Sequence, residues 1–103
     1  NWTEALKRKG EHFPYINSLK SMVGHCLSAA GGIECVATVL ELYYDFVFPN
    51  TNCEDLHSDI EALIGSSKIP QKMFKARLNI IAKASFGFGD VNGCVIFKKF
   101  EKQ

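Results

Sequence analysis

Residue types able to do chemistry crowd into one stretch of the chain, Asn17 to Cys35. A lysine, Lys20, and a histidine, His25, stand five residues apart there, and Cys26 follows the histidine directly. From Cys26 to Leu40 the residues are apolar or small, and Glu34 is the one charge before Glu41. An imidazole at or just before a helix start lies among unpaired backbone N–H groups and near the positive end of the helix dipole, which favours its neutral form. A neutral ring there can present an N–H to a developing oxyanion. Read without other information, Lys20 and His25 are more simply a loop lysine and a helix-start histidine that only pack. The Cys26–His25 pair invites a thiol–imidazole reading, and a helix N-terminus would lower the thiol pKa. Adjacent helical side chains diverge by about 100°, however, so the two do not face each other, and Cys26 reads as a small core residue.

The remaining cysteines, Cys35, Cys53 and Cys94, add no recognisable site. Cys26 and Cys35 are nine positions apart on one expected helix, roughly 13 Å along its axis, too far to bridge. No C-x-x-C occurs, and His12, His25 and His57 share no ligand spacing with the cysteines, so no metal site is expected. Reduced thiols and a cytoplasmic location are the default expectation. The second stretch of interest is Phe86-Gly87-Phe88-Gly89-Asp90-Val91-Asn92-Gly93, whose residues supply the turn chemistry of an antiparallel hairpin. Taken by itself it is a glycine-rich turn with core phenylalanines.

The elements that must position these residues follow from periodicity. Trp2, Ala5 and Leu6 at helical spacing predict a helix within Trp2 to His12, with Thr3 as cap and Gly10 near its end. Phe13 to Ser18 reads as a brief buried strand. Cys26 to about Asp45 lacks the charged stripe of a half-exposed helix and predicts one buried on all sides, with Gly31-Gly32 admitting close neighbours. Phe46 to Cys53 holds Pro49 and reads as an extended crossing segment. Asp55 to Ile64 predicts a short helix with Leu56, Ile60, Leu63 and Ile64 on one face, ending at Gly65. Arg77 to Ala84 and Gly93 to Phe100 read as largely buried strands joined by the hairpin. The class is α/β.

Three blocks carry a resemblance. Lys20-Ser21-Met22-Val23-Gly24-His25, with Ala29-Ala30-Gly31-Gly32-Ile33-Glu34, resembles the lysine–histidine segment of the β-ketoacyl-acyl-carrier-protein synthases. Ser85-Phe86-Gly87-Phe88-Gly89, with Asn92-Gly93 and Val95-Ile96-Phe97, resembles the Ser-Phe-Gly-Phe-Gly-Gly-Thr-Asn hairpin near the end of those enzymes. Phe48-Pro49-Asn50-Thr51-Asn52 resembles their Pro-Thr/Ser-Ile-Asn segment, so the blocks match in order over nearly the whole chain.

The resemblance implies the C-terminal part of a thiolase-like fold, with a mixed sheet packed on a buried central helix and a closing antiparallel hairpin. Residues 1–103 would be a single partial domain. The nucleophilic cysteine and first histidine of the family's Cys-His-His site would lie outside the chain, so the fragment alone is expected to be inactive. The parent reaction would be decarboxylative Claisen condensation of acyl and malonyl thioesters in fatty acid or polyketide synthesis, with acyl carrier protein as partner and no cofactor. His25 would match the second catalytic histidine and Lys20 the active-site lysine. Phe88 would supply an oxyanion-hole N–H and gate the acyl pocket, with Gly87 and Gly89 as its hinge. Leu19, Ala84, Asp90 and Val91 depart from the family's usual Thr, Asn and Gly-Thr. A non-catalytic module for dimerisation or for binding an acyl group or its carrier is the alternative.

Composition bounds the rest. The chain has 103 residues, 47% hydrophobic and 22% charged, with a formal net charge of +1, so no nucleic-acid partner is expected. Glu34 and Glu41 interrupt the longest apolar run before it reaches the length of a membrane span. About 100 residues cannot cover a helix apolar all round, so a homo-oligomer is expected.

Overall fold

The computed structural model describes residues 2–100. Helix α1, Trp2–Leu6, is one turn long and is followed by a 3₁₀ turn at Gly10–His12. Thr3 lies inside α1 and is not its cap. Phe13 to Ser18 is extended but joins no ladder: Phe13 is buried, and the Ile16 N–H donates to the Lys68 carbonyl at 2.8 Å. A proline at position 14 lacks the donor that continuous pairing needs.

After the single-turn α2, Lys20–Val23, and a 3₁₀ turn at Leu27–Ala29, the chain enters its longest helix, α3, Ala30–Tyr44. Asp45 closes α3 in the left-handed conformation, and its carboxylate takes the Leu78 N–H at 3.0 Å and the Lys99 ammonium. Strand β1, Phe46–Val47, pairs antiparallel with β2, Phe74–Lys75. Between them lies α4, Ser58–Ile64, shorter than its predicted span because the His57 ring caps it by accepting from the Asp59 N–H. Strands β3, Ile80–Phe86, and β4, Asn92–Lys98, form the expected antiparallel hairpin, with Ile80 opposite Lys98 and Phe86 opposite Asn92.

The architecture is therefore a small α/β unit with two two-stranded antiparallel sheets and no parallel pair among the described residues. Within this chain α3 is not enclosed. It is buried along one face, at Ala30, Ala37, Thr38, Glu41 and Leu42, whereas Val36, Tyr43 and Tyr44 stand 63–74% exposed. Both hairpin strands are likewise more exposed than their apolar sequences predict, with Ile96 at 69%. The reason is size: an all-apolar helix needs a layer on each side, and this length of chain supplies one.

Candidate functional site

The segment bearing Lys20 is held by side chains from about thirty residues further along the chain. Asn50 is buried, and its amide donates to the Ile16 carbonyl at 2.9 Å and the Pro70 carbonyl at 3.2 Å, while its oxygen accepts the Ser18 N–H at 2.9 Å. Thr51 continues the clasp: its N–H meets Ser21 Oγ at 3.1 Å and its hydroxyl donates to the Ser21 carbonyl. A buried amide with every polar atom engaged fixes a loop well, because releasing it would strand donors and acceptors away from water. Asn17 completes the hold by donating to both oxygens of the buried Glu41, at 3.3 and 3.2 Å, and to the Phe48 carbonyl at 3.2 Å. Burial dominates at Glu41 and raises its pKa above the usual carboxylate value, against the opposing hydrogen bonds from Asn17 and the Phe48 backbone.

Gly24, at φ 75°, ends α2, and its N–H donates to the Lys20 carbonyl. His25 follows in an exposed link, five residues ahead of α3 rather than at its first turn. The Leu27 N–H donates to His25 Nδ1 at 2.9 Å, an arrangement that in a neutral imidazole puts the ring proton on Nε2. Leu27 itself has φ 51°, an uncommon conformation for a bulky residue and a form of strain that concentrates at functional positions. The Cys26 thiol is 3.9 Å from the Val23 carbonyl, back along the chain.

Lys20 does not stand alone. Its ammonium binds Glu34 Oε1, and Lys83 from β3 binds Glu34 Oε2 at 2.8 Å. The Glu34 and Lys83 side chains are only 12% and 11% exposed, against 38% for Lys20. Burial pushes the Glu34 pKa up, but the hydrogen bonds and charges of Lys20 and Lys83 together outweigh it and hold the carboxyl below its ordinary value. These three residues border a cavity of about 560 Å³ between the Phe13–Lys20 segment, α3 and β3. Neither His25 nor Phe88 lines it. Glu34 and Lys83 are the site members that reading the sequence missed. The signal for Glu34 was available, since a lone carboxylate in an uncharged helix needs a cation; nothing local marked Lys83.

Phe88 sits at the hairpin tip with its ring wholly exposed. The turn is closed by the Gly87 N–H donating to the Val91 carbonyl at 2.8 Å, and Gly89 and Asp90 both take positive φ, 75° and 59°. At Gly87 a Cβ would lie 3.1 Å from that carbonyl. Asp90 thus meets the conformational need of the turn while placing a carboxylate two residues from Phe88. Among the described residues, no cluster of three or more His, Cys, Asp or Glu is gathered, and no helix is long and apolar enough to cross a membrane.

Comparison with known proteins gives one consistent answer. The family model of the beta-ketoacyl synthase C-terminal domain matches residues 2–54. The chain is 41% identical over 91 residues to 3-oxoacyl-acyl-carrier-protein synthase 1 of Haemophilus influenzae, covering 88% of this chain and 22% of that protein. It is 42% identical over 90 residues to the chloroplastic 3-oxoacyl-acyl-carrier-protein synthase II of Arabidopsis thaliana, covering 84% of this chain and 15% of that protein. Synthase 2 of Vibrio harveyi is 36% identical over 95 residues, with 92% and 22% covered. The chain thus spans about a fifth of the length of the curated relatives it matches.

Proposed function

Since this chain belongs to the β-ketoacyl synthase family through that C-terminal domain, we propose that it works as the last part of a 3-oxoacyl-acyl-carrier-protein synthase, residues 1–103 forming one partial domain. In the complete enzyme a cysteine thiolate outside this chain takes an acyl group. A malonyl thioester on the acyl carrier protein then loses its carboxylate, its thioester oxygen becomes an enolate, and the enolate carbon attacks the acyl-cysteine, forming the 3-oxoacyl thioester and returning the thiol.

The observation that carries this reading is the tautomer of His25. With Nδ1 occupied by the Leu27 N–H, the ring has Nε2–H free to donate to the enolate oxygen as charge develops there. Lys20 is the cation for the malonyl carboxylate, and the Phe88 N–H, on its glycine-flanked turn, stabilises the oxyanion of the second addition. The exposed apolar faces of α3 and of the hairpin are surfaces for the rest of the thiolase-like fold, which would add strands to make the sheet mixed, and for a homodimeric partner. The four free thiols suit a reducing compartment such as the cytoplasm.

The test separates the half-reactions in the complete synthase. His25→Ala is expected to slow malonyl decarboxylation by a factor on the order of 10²–10³, the loss typical of one oxyanion donor, while labelled acyl-enzyme still forms. Blocked acylation with decarboxylation spared would overturn the assignment. The exposed Asp90 carboxylate beside the gate favours a second reading, a non-catalytic acyl-binding or dimerisation module. That reading predicts a wild-type complete protein with neither half-reaction.

A further inference from the structure

Lys83 is the part of this site that the proposed mechanism leaves unused. Its side chain is 11% exposed, its ammonium is 2.8 Å from Glu34 Oε2, and it also donates to Ser85 Oγ on its own strand. Lys83 Nζ lies beside Gly31 of α3, 4.0 Å from where a Cβ on that residue would stand. Lys20 holds the other oxygen of the same carboxylate and is the more open of the two cations.

Charge counting gives this arrangement a consequence. A lone Lys20–Glu34 pair would be formally neutral, and its field on a substrate carboxylate would largely cancel. Two ammonium groups on one carboxylate leave a formal charge of +1 at the cavity wall, with Lys83 the more buried cation and Lys20 the more exposed one. A shared, nearly dry carboxylate also costs little reorganisation when an anion arrives, because its partners are already in place. The bridge joins three elements, the Lys20 turn, α3, and the strand that leads into the Phe88 turn.

Resting on the synthase reading above, we propose that Lys83 is a positioning residue for decarboxylation: by engaging one oxygen of Glu34 it keeps Lys20 fixed yet uncancelled toward the malonyl carboxylate. Its partner is the Glu34 carboxylate, and it acts through Glu34.

The experiment uses the complete synthase, with acyl-enzyme formation and carbon dioxide release assayed separately. Lys83→Met keeps the length and removes the charge, and it is expected to lower decarboxylation about tenfold, as a small misplacement of a reacting group does, with acylation within about twofold of wild type. Lys83→Arg, which keeps the charge, restores most of the loss. In a Glu34→Gln background Lys83→Met causes no further loss, since the two act as one unit. Equal losses in both half-reactions, an arginine variant as poor as methionine, or a methionine effect that persists in full without Glu34 would each overturn the proposal. If Lys83→Met fails to fold, the Arg and Glu34→Gln variants decide by the same ratio. A wild-type enzyme that releases no carbon dioxide fails the synthase reading, and this proposal with it. An active wild type matched by Lys83→Met fails this proposal alone.

Discussion

At the scale of single residues, Lys20 and His25 should fail in different ways. In the proposed mechanism His25 offers one hydrogen bond to a developing charge, whereas Lys20 is bound to Glu34, which Lys83 shares. Lys20→Ala in the complete enzyme is therefore expected to impair both half-reactions, decarboxylation more than acylation, and parallel assays of the two check it. Glu34 and Glu41 make opposite demands of pH. The Glu34 pKa is depressed in the folded state, so its contribution to stability is complete above the ordinary carboxylate value and is lost as pH falls through the lowered one. The Glu41 pKa is raised, so its contribution is present below the ordinary value and is lost as pH rises through the raised one. Asn17→Ala strips the buried Glu41 carboxylate of its side-chain donor and should cost about 1–3 kcal/mol at neutral pH. Because protonation relieves the stranded charge, that cost should shrink on acidification. Denaturant midpoints at a series of pH values measure both; a cost independent of pH would show that Glu41 is not the group involved.

At the scale of elements, the turn between β3 and β4 depends on two successive residues of positive φ, Gly89 and Asp90. Asp tolerates this region where a β-branched residue does not. Asp90→Gly is expected to leave stability within about 0.5 kcal/mol, as a change with no backbone conflict does. Asp90→Val should cost about 1–2 kcal/mol, read as a lower denaturation midpoint, and, if Phe88 gates the acyl pocket as proposed, should slow acyl loading in the complete enzyme. Equal behaviour of the two variants would mean the turn does not need that conformation. The Lys20 turn depends on residues distant in sequence instead: Asn50 and Thr51, about thirty positions on, hold it through four hydrogen bonds to Ile16, Ser18 and Ser21.

At the scale of the whole molecule, the decisive feature is the apolar surface left uncovered. Tyr43 and Tyr44 on α3, Ile96 on β4 and Phe86 on β3 are all more than half exposed. Large apolar side chains left open on three elements of so short a chain mark surfaces that further protein would cover. The isolated polypeptide is expected to self-associate in light scattering and to show no condensation of acyl and malonyl thioesters. A well-behaved monomer at high concentration would count against the first expectation. Condensation by the fragment alone would contradict the assignment of its nucleophile to another part of the enzyme.

What the sequence determined by itself was local chemistry and local period: the apolar helix, the hairpin with its glycine-rich turn, the short helix before Gly65, and the Lys20, His25 and Phe88 motifs. Each is written in residues close together, where spacing and turn propensity suffice. Only the tertiary structure decided that Lys83 and Lys20 share Glu34, that Asn50 clasps the lysine turn, and that His25 is fixed as a tautomer by a left-handed Leu27 rather than by the first turn of a helix. Those facts join residues up to 63 positions apart, or turn on one backbone angle, and no pattern of neighbours encodes either. The predicted enclosure of α3 is not found within this chain, because burial belongs to the assembly of layers, and this length of chain brings only one of them.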